Sequence, residues 1–227
     1  MQKGLSSLMI ACTLFPQKVN MMYDMLMQQL SQYVTVTNED RNTIIRYFQP
    51  VSFDKYSTIT KVGAIEEYQY FITEGYARTF YQLNGIELTT QIGWQNQFIF
   101  SAQSFVNRKP SLETLETIAK FSALRIHFDD LQKLYELNDK WIYSWLHIME
   151  SALINQNDRI KRLTLLSAKE RYELLVSENP ALLQDIALRY LASYIGIKPE
   201  SLSRIRSNIN KRASIHNSGK ASLMGTA

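Results

Sequence analysis

Between Asn138 and Leu166 the chain contains neither proline nor glycine, and its apolar residues fall on two helical stripes. Ile142, Leu146, Met149, Leu153, Gln156, Ile160 and Leu163 alternate steps of four and three, while Trp141, Trp145, Ile148 and Ala152 form a neighbouring stripe. One stripe can bury itself against the body of its own protein, and a second stripe calls for a second partner. Two readings follow. In one, a second copy of the chain pairs through Ile142, Leu146, Met149, Leu153 and Ile160; in the other, the helix is buried all round by its own chain.

The period changes upstream of this helix. From Met21 to Tyr47 the text is helical: Tyr23, Leu26, Met27 and Leu30 share a face, and Thr37-Asn38-Glu39-Asp40 offers a polar start for a second helix that Pro50 stops. Between Val51 and Phe128 the spacing becomes two. Phe53 to Ile59, Tyr68 to Thr73, Tyr76 to Leu83, Glu87 to Ile92 and Glu116 to Phe128 are rich in Val, Ile, Thr, Tyr and Phe, which predicts strands. Asn84-Gly85 is a two-residue hairpin signal. Several short strands punctuated by Gly63, Gly75 and Gly93 suggest a small barrel or sandwich. A short helix is expected around Leu131, Leu134 and Tyr135.

Downstream, Ser167 and Glu170 have the spacing of a capping box that opens a helix from Ala168 to Val176, and Asn179-Pro180 breaks the chain again. The stretch from Leu188 to Asn210 then reads as two short helices around a tight turn. Leu188, Leu191, Ala192 and Ile195 share one face, Gly196 ends the first helix, and Pro199 suits the first turn of the second. Leu202, Ile205 and Ile209 face inward there, leaving Glu200, Ser201, Ser203, Arg204, Arg206 and Ser207 outward. Taken alone, this could be an ordinary helical hairpin. The small Ala192, the glycine corner and an outward face with two arginines and one acid fit a helix-turn-helix that enters a DNA major groove.

Charge points the same way. The whole chain carries a net charge of +4. From Arg189 to the end there are seven basic residues against Glu200 alone, a surface suited to nucleic acid or to an anionic membrane. Cys12 is the only cysteine, which rules out an internal disulfide or a cysteine-held cluster and favours a reducing, cytoplasmic setting. The apolar Leu5 to Phe15 is too short to span a bilayer and has the weak flanks of a poor signal peptide. It is expected to be a loosely ordered extension, with Met21 or Met22 as the natural start.

A barrel of short strands, a long helix and a C-terminal helix-turn-helix, in that order, make residues from about Met22 to Asn210 resemble the Crp/Fnr family of bacterial transcription regulators. The stretch ASYIGIKPESLSRIR looks like the version common in Bacteroidetes. The resemblance implies an α+β chain with an N-terminal double-stranded β-roll of jelly-roll type, a dimerisation helix and a C-terminal helix-turn-helix domain. In numbers, this divides the chain into an extension at 1–21, a sensor-like roll at 22–137, the helix at 138–166 and the DNA-binding domain with a short tail at 167–227. It also implies a homodimer bound to an imperfect inverted repeat of double-stranded DNA, with surface contacts to RNA polymerase. The family's Glu, two residues, Ser, Arg pattern is met by Glu200, Ser203 and Arg204, which would read base edges. Lys198 and Ser201 would touch phosphate, and Arg206 lies on the same face.

The ligand site departs from that family. Cyclic-nucleotide-binding members carry a Phe-Gly-Glu motif whose glutamate holds the ribose, followed by an arginine for the cyclic phosphate. Here the corresponding stretch is Phe98-Ile99-Phe100-Ser101, and Ser111-Leu112-Glu113-Thr114 offers no base. A buried phosphate without a cation is costly, so cAMP is not expected to bind in the family manner. Phe98, Phe100, Ser101 and Arg108 remain candidates for a pocket of unknown ligand, and Arg108 could reach a phosphate from a rearranged loop. The aromatic group Trp94, Phe98, Phe100 and Phe105 would line such a pocket or form core.

No cofactor, metal or enzymatic role is expected. His127, His147 and His216 are scattered, with the first read as a strand-end and the second as a helix-surface residue, and neither a phosphate loop nor a nucleophile elbow is present. Two functions stay open. One is a dimeric DNA-binding regulator; the other is a small-ligand sensor or protein-interaction module whose C-terminal helices only pack. Ala213 to Ala227, with a turn at Ser218-Gly219-Lys220, would be a poor wing or a disordered end.

Overall fold

A computed structural model describes residues 16–209. The expected extension up to Phe15, the tail from Asn210, Cys12 and His216 lie outside these residues. Compact packing divides the chain into two units that part between Asn157 and Asp158, within the long helix.

The first unit opens with α1 (Pro16–Leu30) and α2 (Asn38–Tyr47). Thr37 caps α2 through a capping box with Asp40, as the polar run predicts. Asp40 is buried and also forms an ion pair with Lys140.

Eight strands follow: β1 (Gln49–Phe53), β2 (Thr58–Thr60), β3 (Tyr68–Glu74), β4 (Ala77–Leu83), β5 (Ile86–Gly93), β6 (Phe98–Ile99), β7 (Thr114–Thr117) and β8 (Phe121–His127). They form two four-stranded antiparallel sheets, ordered β1-β8-β3-β6 and β2-β7-β4-β5. This is the expected double-stranded roll. Asn84 and Gly85 both take positive φ, 52° and 78°, and Leu83 pairs with Ile86, so the dipeptide makes the predicted tight hairpin.

Three expectations are revised. The predicted strand from Phe53 to Ile59 is broken at Tyr56, whose φ is 65°, into β1 and β2 in different sheets. The predicted strand from Glu116 to Phe128 is likewise two strands, because the chain leaves one sheet after Thr117 and joins the other at Phe121. Pro50 ends no helix; it sits within β1, where an edge position tolerates its missing N–H.

The sheet β1-β8-β3-β6 is covered on both faces. Tyr70, Ile72, Phe121 and Ala123 meet Ala77 and Leu115 of the opposite sheet. Phe71, Leu124 and Ile126 point the other way into a second core built with Met22, Tyr23, Leu26, Leu30 and Ile44 of the N-terminal helices. That core also takes Leu131 and Leu134 of α4 (Phe128–Leu137) and Trp141 and Ile148 of α5 (Asp139–Leu165). The two stripes of α5 thus have different fates. Trp141, Trp145 and Ile148 pack on the core, whereas Ile142, Leu146, Leu153 and Ile160 are 46%, 49%, 70% and 60% exposed. Two residues depart from their stripes: Met149, expected on the face for a second copy, is half-buried against the core, and Ala152, one turn beyond Ile148, is exposed.

The second unit is helical. Residues 158–165 end α5, followed by α6 (Ala168–Glu178), α7 (Leu182–Asp185), α8 (Leu188–Tyr194) and α9 (199–209). Ser167 and Glu170 make the predicted capping box. Arg162 grips Glu178 with two hydrogen bonds of 2.6 and 2.7 Å, and Arg171 donates to the carbonyls of Leu163 and Leu166, satisfying the exposed end of α5.

Candidate functional site

Two places carry the residues singled out by the sequence. The first is the corner between α8 and α9. Leu191, Ala192 and Ile195 are buried with Tyr190, and Leu202 on α9 is fully buried. The corner closes by backbone bonds: the Ile197 N–H donates to Ala192 O at 3.0 Å and the Gly196 N–H to Ser193 O at 3.2 Å. This 6→1 and 5→2 pairing is a Schellman ending, which needs a left-handed residue, and Gly196 supplies it at φ 72°. Leu163 Cδ2 would stand 3.1 Å from a Cβ built on this glycine. Arg159 steadies the preceding turn by donating to Tyr194 O at 3.2 Å, with its guanidinium 4.9 Å from the Tyr194 ring.

Pro199 begins α9 where a missing N–H costs nothing, and the Ser201 and Leu202 N–H groups bond Lys198 O. Along α9 the inward and outward faces separate as the spacing predicts. Leu202 is buried and Ile205 and Ile209 are half-buried, while Lys198, Glu200, Ser203 and Arg204 are exposed and Ser201 and Arg206 half-exposed. Lys198, Glu200, Arg204 and Arg206 form no ion pair with another described residue.

The second place is the stretch from Phe98 to Glu113. Ser101 ends β6 and starts the short helix α3 (Ala102–Asn107), an element the spacing did not predict. Phe98 and Phe100 both face Trp145 of α5, at 5.3 and 6.2 Å between ring centres, and Phe105 stacks edge-on to Phe100 and Phe128. These aromatics join the roll to α5. Ser101 instead lies in a buried polar network. Its hydroxyl is 2.9 Å from that of Ser111, and it also reaches the Glu113 carboxyl. Thr90 donates to Glu113 at 3.0 Å and is 2.8 Å from the hydroxyl of Thr79, so the network bridges β4 and β5 to the 98–113 segment.

A second carboxyl, absent from the sequence-based expectations, touches Ser101 from the other side. Glu66 is 1% exposed; it accepts the Ser101 N–H at 3.3 Å and the Tyr68 N–H at 3.4 Å, and Thr60 also bonds it. Burial pushes its pKa up to about 7, opposed by those hydrogen bonds and helped by neighbouring Glu67. Burial also raises Glu113 above the usual carboxylate range, against the pull of its hydroxyl donors. Arg108, at the left-handed end of α3, is already engaged: it donates to Glu66 O at 2.7 Å, pairs with the Glu67 carboxylate and lies over the Phe128 ring.

His127 sits at the end of β8, where its Nδ1 accepts the Asp129 N–H, and His147 lies on the surface of α5 beside Glu150. Among the described residues no three His, Cys, Asp or Glu side chains are grouped to hold a metal ion, and no helix is long and apolar enough to cross a membrane.

No protein-family sequence model matches the chain, and no curated protein matches it by sequence. Solved structures do resemble it. FixK2 from Bradyrhizobium japonicum is 17% identical with a TM-score of 0.63, covering 73% of this chain and 86% of its own. The c-di-GMP-responsive global regulator CLP of Xanthomonas campestris is 13% identical with a TM-score of 0.61, covering 76% of this chain and 91% of its own. A Crp/Fnr-family transcriptional regulator from Eubacterium rectale is 13% identical, also at 0.61, over 78% of this chain and 85% of its own. At these identities the likeness establishes the fold: the chain is built as Crp/Fnr regulators are.

Because the corner between α8 and α9 depends on one left-handed glycine, Gly196→Ala is expected to destabilise the second unit by about 1–2 kcal/mol through backbone strain. Urea unfolding followed by circular dichroism checks this, and an unchanged midpoint would contradict the assignment.

Proposed function

We propose that the chain is a sequence-specific DNA-binding transcription regulator that acts as a homodimer and is not gated by cAMP. The observation that carries the reading is the exposed face of α9. Glu200, Ser203 and Arg204 project from a helix that is anchored by Leu202 and held at a fixed corner by Gly196. Arg204 has the paired donors that match the O6 and N7 of guanine, and Glu200 can accept from a cytosine amino group. Lys198, Ser201 and Arg206 are placed to meet phosphate. The fold shared with FixK2 and CLP supports the same reading.

The exposed stripe of α5 supports dimerisation, since Ile142, Leu146, Leu153 and Ile160 would leave an apolar row in water unless another helix covered it. Pairing of two such helices would set two α9 helices roughly 34 Å apart, one turn of DNA, and so select an inverted repeat. The roll speaks against cAMP. Ser101 stands where the family glutamate would hold ribose, two carboxyls flank it, and Arg108 is committed to Glu66 and Glu67. A cyclic phosphate would meet buried acid without a counter-charge. A DNA-bound role places the protein in the cytoplasm, with RNA polymerase as a further partner at promoters.

Selection of genomic DNA should yield a preferred inverted repeat. Arg204→Ala should then weaken binding to it by about 1–3 kcal/mol and relax preference at one base per half-site. Equal binding of all sequences by the unmodified protein, with no effect of the substitution, sinks the DNA reading. Sedimentation of the unmodified protein should show a dimer that Leu153→Glu converts to monomer; a monomeric unmodified protein rejects the pairing. Calorimetric titration with cAMP should show no heat of binding at millimolar ligand, and micromolar affinity would refute the proposed independence from cAMP.

A further inference from the structure

Glu66, on the segment between β2 and β3, joins several parts of the roll. Its carboxyl holds the N–H of Ser101 at the start of α3 and the hydroxyl of Thr60 at the end of β2. Its own N–H donates to Ser104 Oγ at 2.9 Å, and its carbonyl accepts from Arg108 at the end of α3. Gly63 and Ser111 add a backbone bond of 2.8 Å between the same two segments, as do Ser111 and Ala64. On the far side of Ser101, Glu113 ties the serine to Thr79 and Thr90. One serine is therefore bracketed by two carboxyls, Glu66 buried and Glu113 half-buried, on the two segments that run from β2 to β3 and from β6 to β7.

The groups facing this pair decide its charge. Glu67 lies beside Glu66 and Tyr70 lies near it, with Arg125 in turn near Tyr70. Arg108 approaches Glu66 only through the backbone carbonyl, since its other bond goes to the Glu67 carboxylate. Tyr81 is the titratable neighbour of Glu113. No described cation bonds either carboxyl, so ionisation places uncompensated negative charge in the roll.

We propose that Glu66 and Glu113 form a proton-operated clasp on Ser101, closed when the carboxyls are neutral and loosened as they ionise, so that α3 and the 98–113 segment open from the sheets with rising pH. The consequence reaches α5, because Phe105 of α3 stacks on Phe100 and Phe100 on Trp145. The sign follows from linkage. A carboxyl whose pKa is raised on folding stabilises the closed form fully below its unfolded value, and that stability is lost as pH rises to the folded value. For Glu66 the loss runs from the ordinary glutamate range up to about 7. The clasp does not rest on the DNA reading, since its readout lies within the roll.

The test is hydrogen–deuterium exchange of the full-length protein, read by mass spectrometry on peptides from 98–113 and corrected for the intrinsic pH dependence of exchange. Between about pH 5 and pH 8 the opening constant of this segment should rise by roughly 50-fold, as expected for one glutamate moving from a pKa near 7 closed to near 4.5 open. Glu66→Gln should remove most of the rise, and Glu66→Gln with Glu113→Gln should flatten it. A rise of less than about threefold in the unmodified protein overturns the proposal, as does a rise that persists in the double variant. Should a variant fail to fold, carbon-13 titration of Glu66 in the unmodified protein decides: a midpoint in the ordinary glutamate range overturns the clasp.

Discussion

Strand β8 cannot be exposed on either face, and much of the first unit follows from that constraint. Its odd-numbered residues Phe121 and Ala123 face the opposing sheet, while Leu124 and Ile126 face the helices. A strand buried on both sides needs a sheet on one side and a helical layer on the other. α1, α2, α4 and the first half of α5 form that helical layer, and each buried side chain of this size stabilises the fold by about 1.5–3 kcal/mol relative to water. Having used one stripe of α5 for this purpose, the chain is left with the other in solvent.

Around Ser101, one set of polar groups inside the roll is satisfied within itself. Ser101, Ser111, Thr79, Thr90 and Glu113 share hydrogen bonds, and Glu66 completes the set through backbone N–H groups. Such a network removes the penalty of buried unpaired donors and acceptors, but it does nothing for net charge. The same arrangement that makes the interior stable when neutral makes it inhospitable to an anion. The proposed exclusion of a cyclic phosphate and the proposed proton response thus rest on one observation, that no described cation bonds the Glu66 or Glu113 carboxyl.

Local signals were legible in the sequence because their physics is local. The Asn84-Gly85 turn, the capping boxes at Thr37 and Ser167, and the Gly196 corner each depend on a few neighbouring residues. The separation of α9 into a buried Leu202 and exposed Glu200, Ser203 and Arg204 was readable for the same reason. Glu66 was not. In Ile65-Glu66-Glu67 it looks like half of a solvated acidic pair, and its burial depends on Ser101 and Ser104, far along the chain. The sheet change between Thr117 and Phe121 was equally hidden, since both flanking strands have the same alternation and no glycine or proline marks the crossing. Short elements such as β6, α3 and α7 hold their shape through tertiary contacts, and their few residues carry no periodic pattern.

The corner at Gly196 uses backbone hydrogen bonds, and the seat of α9 is made by Leu202 with help from Ile205 and Ile209. None of the outward residues from Lys198 to Ser207 is asked to hold the helix in place. Shape and chemical lettering are therefore separable in this part of the molecule: the outward letters can be exchanged one at a time while the scaffold that presents them stays the same. A surface organised in this way can drift toward new targets by single substitutions without passing through an unfolded intermediate.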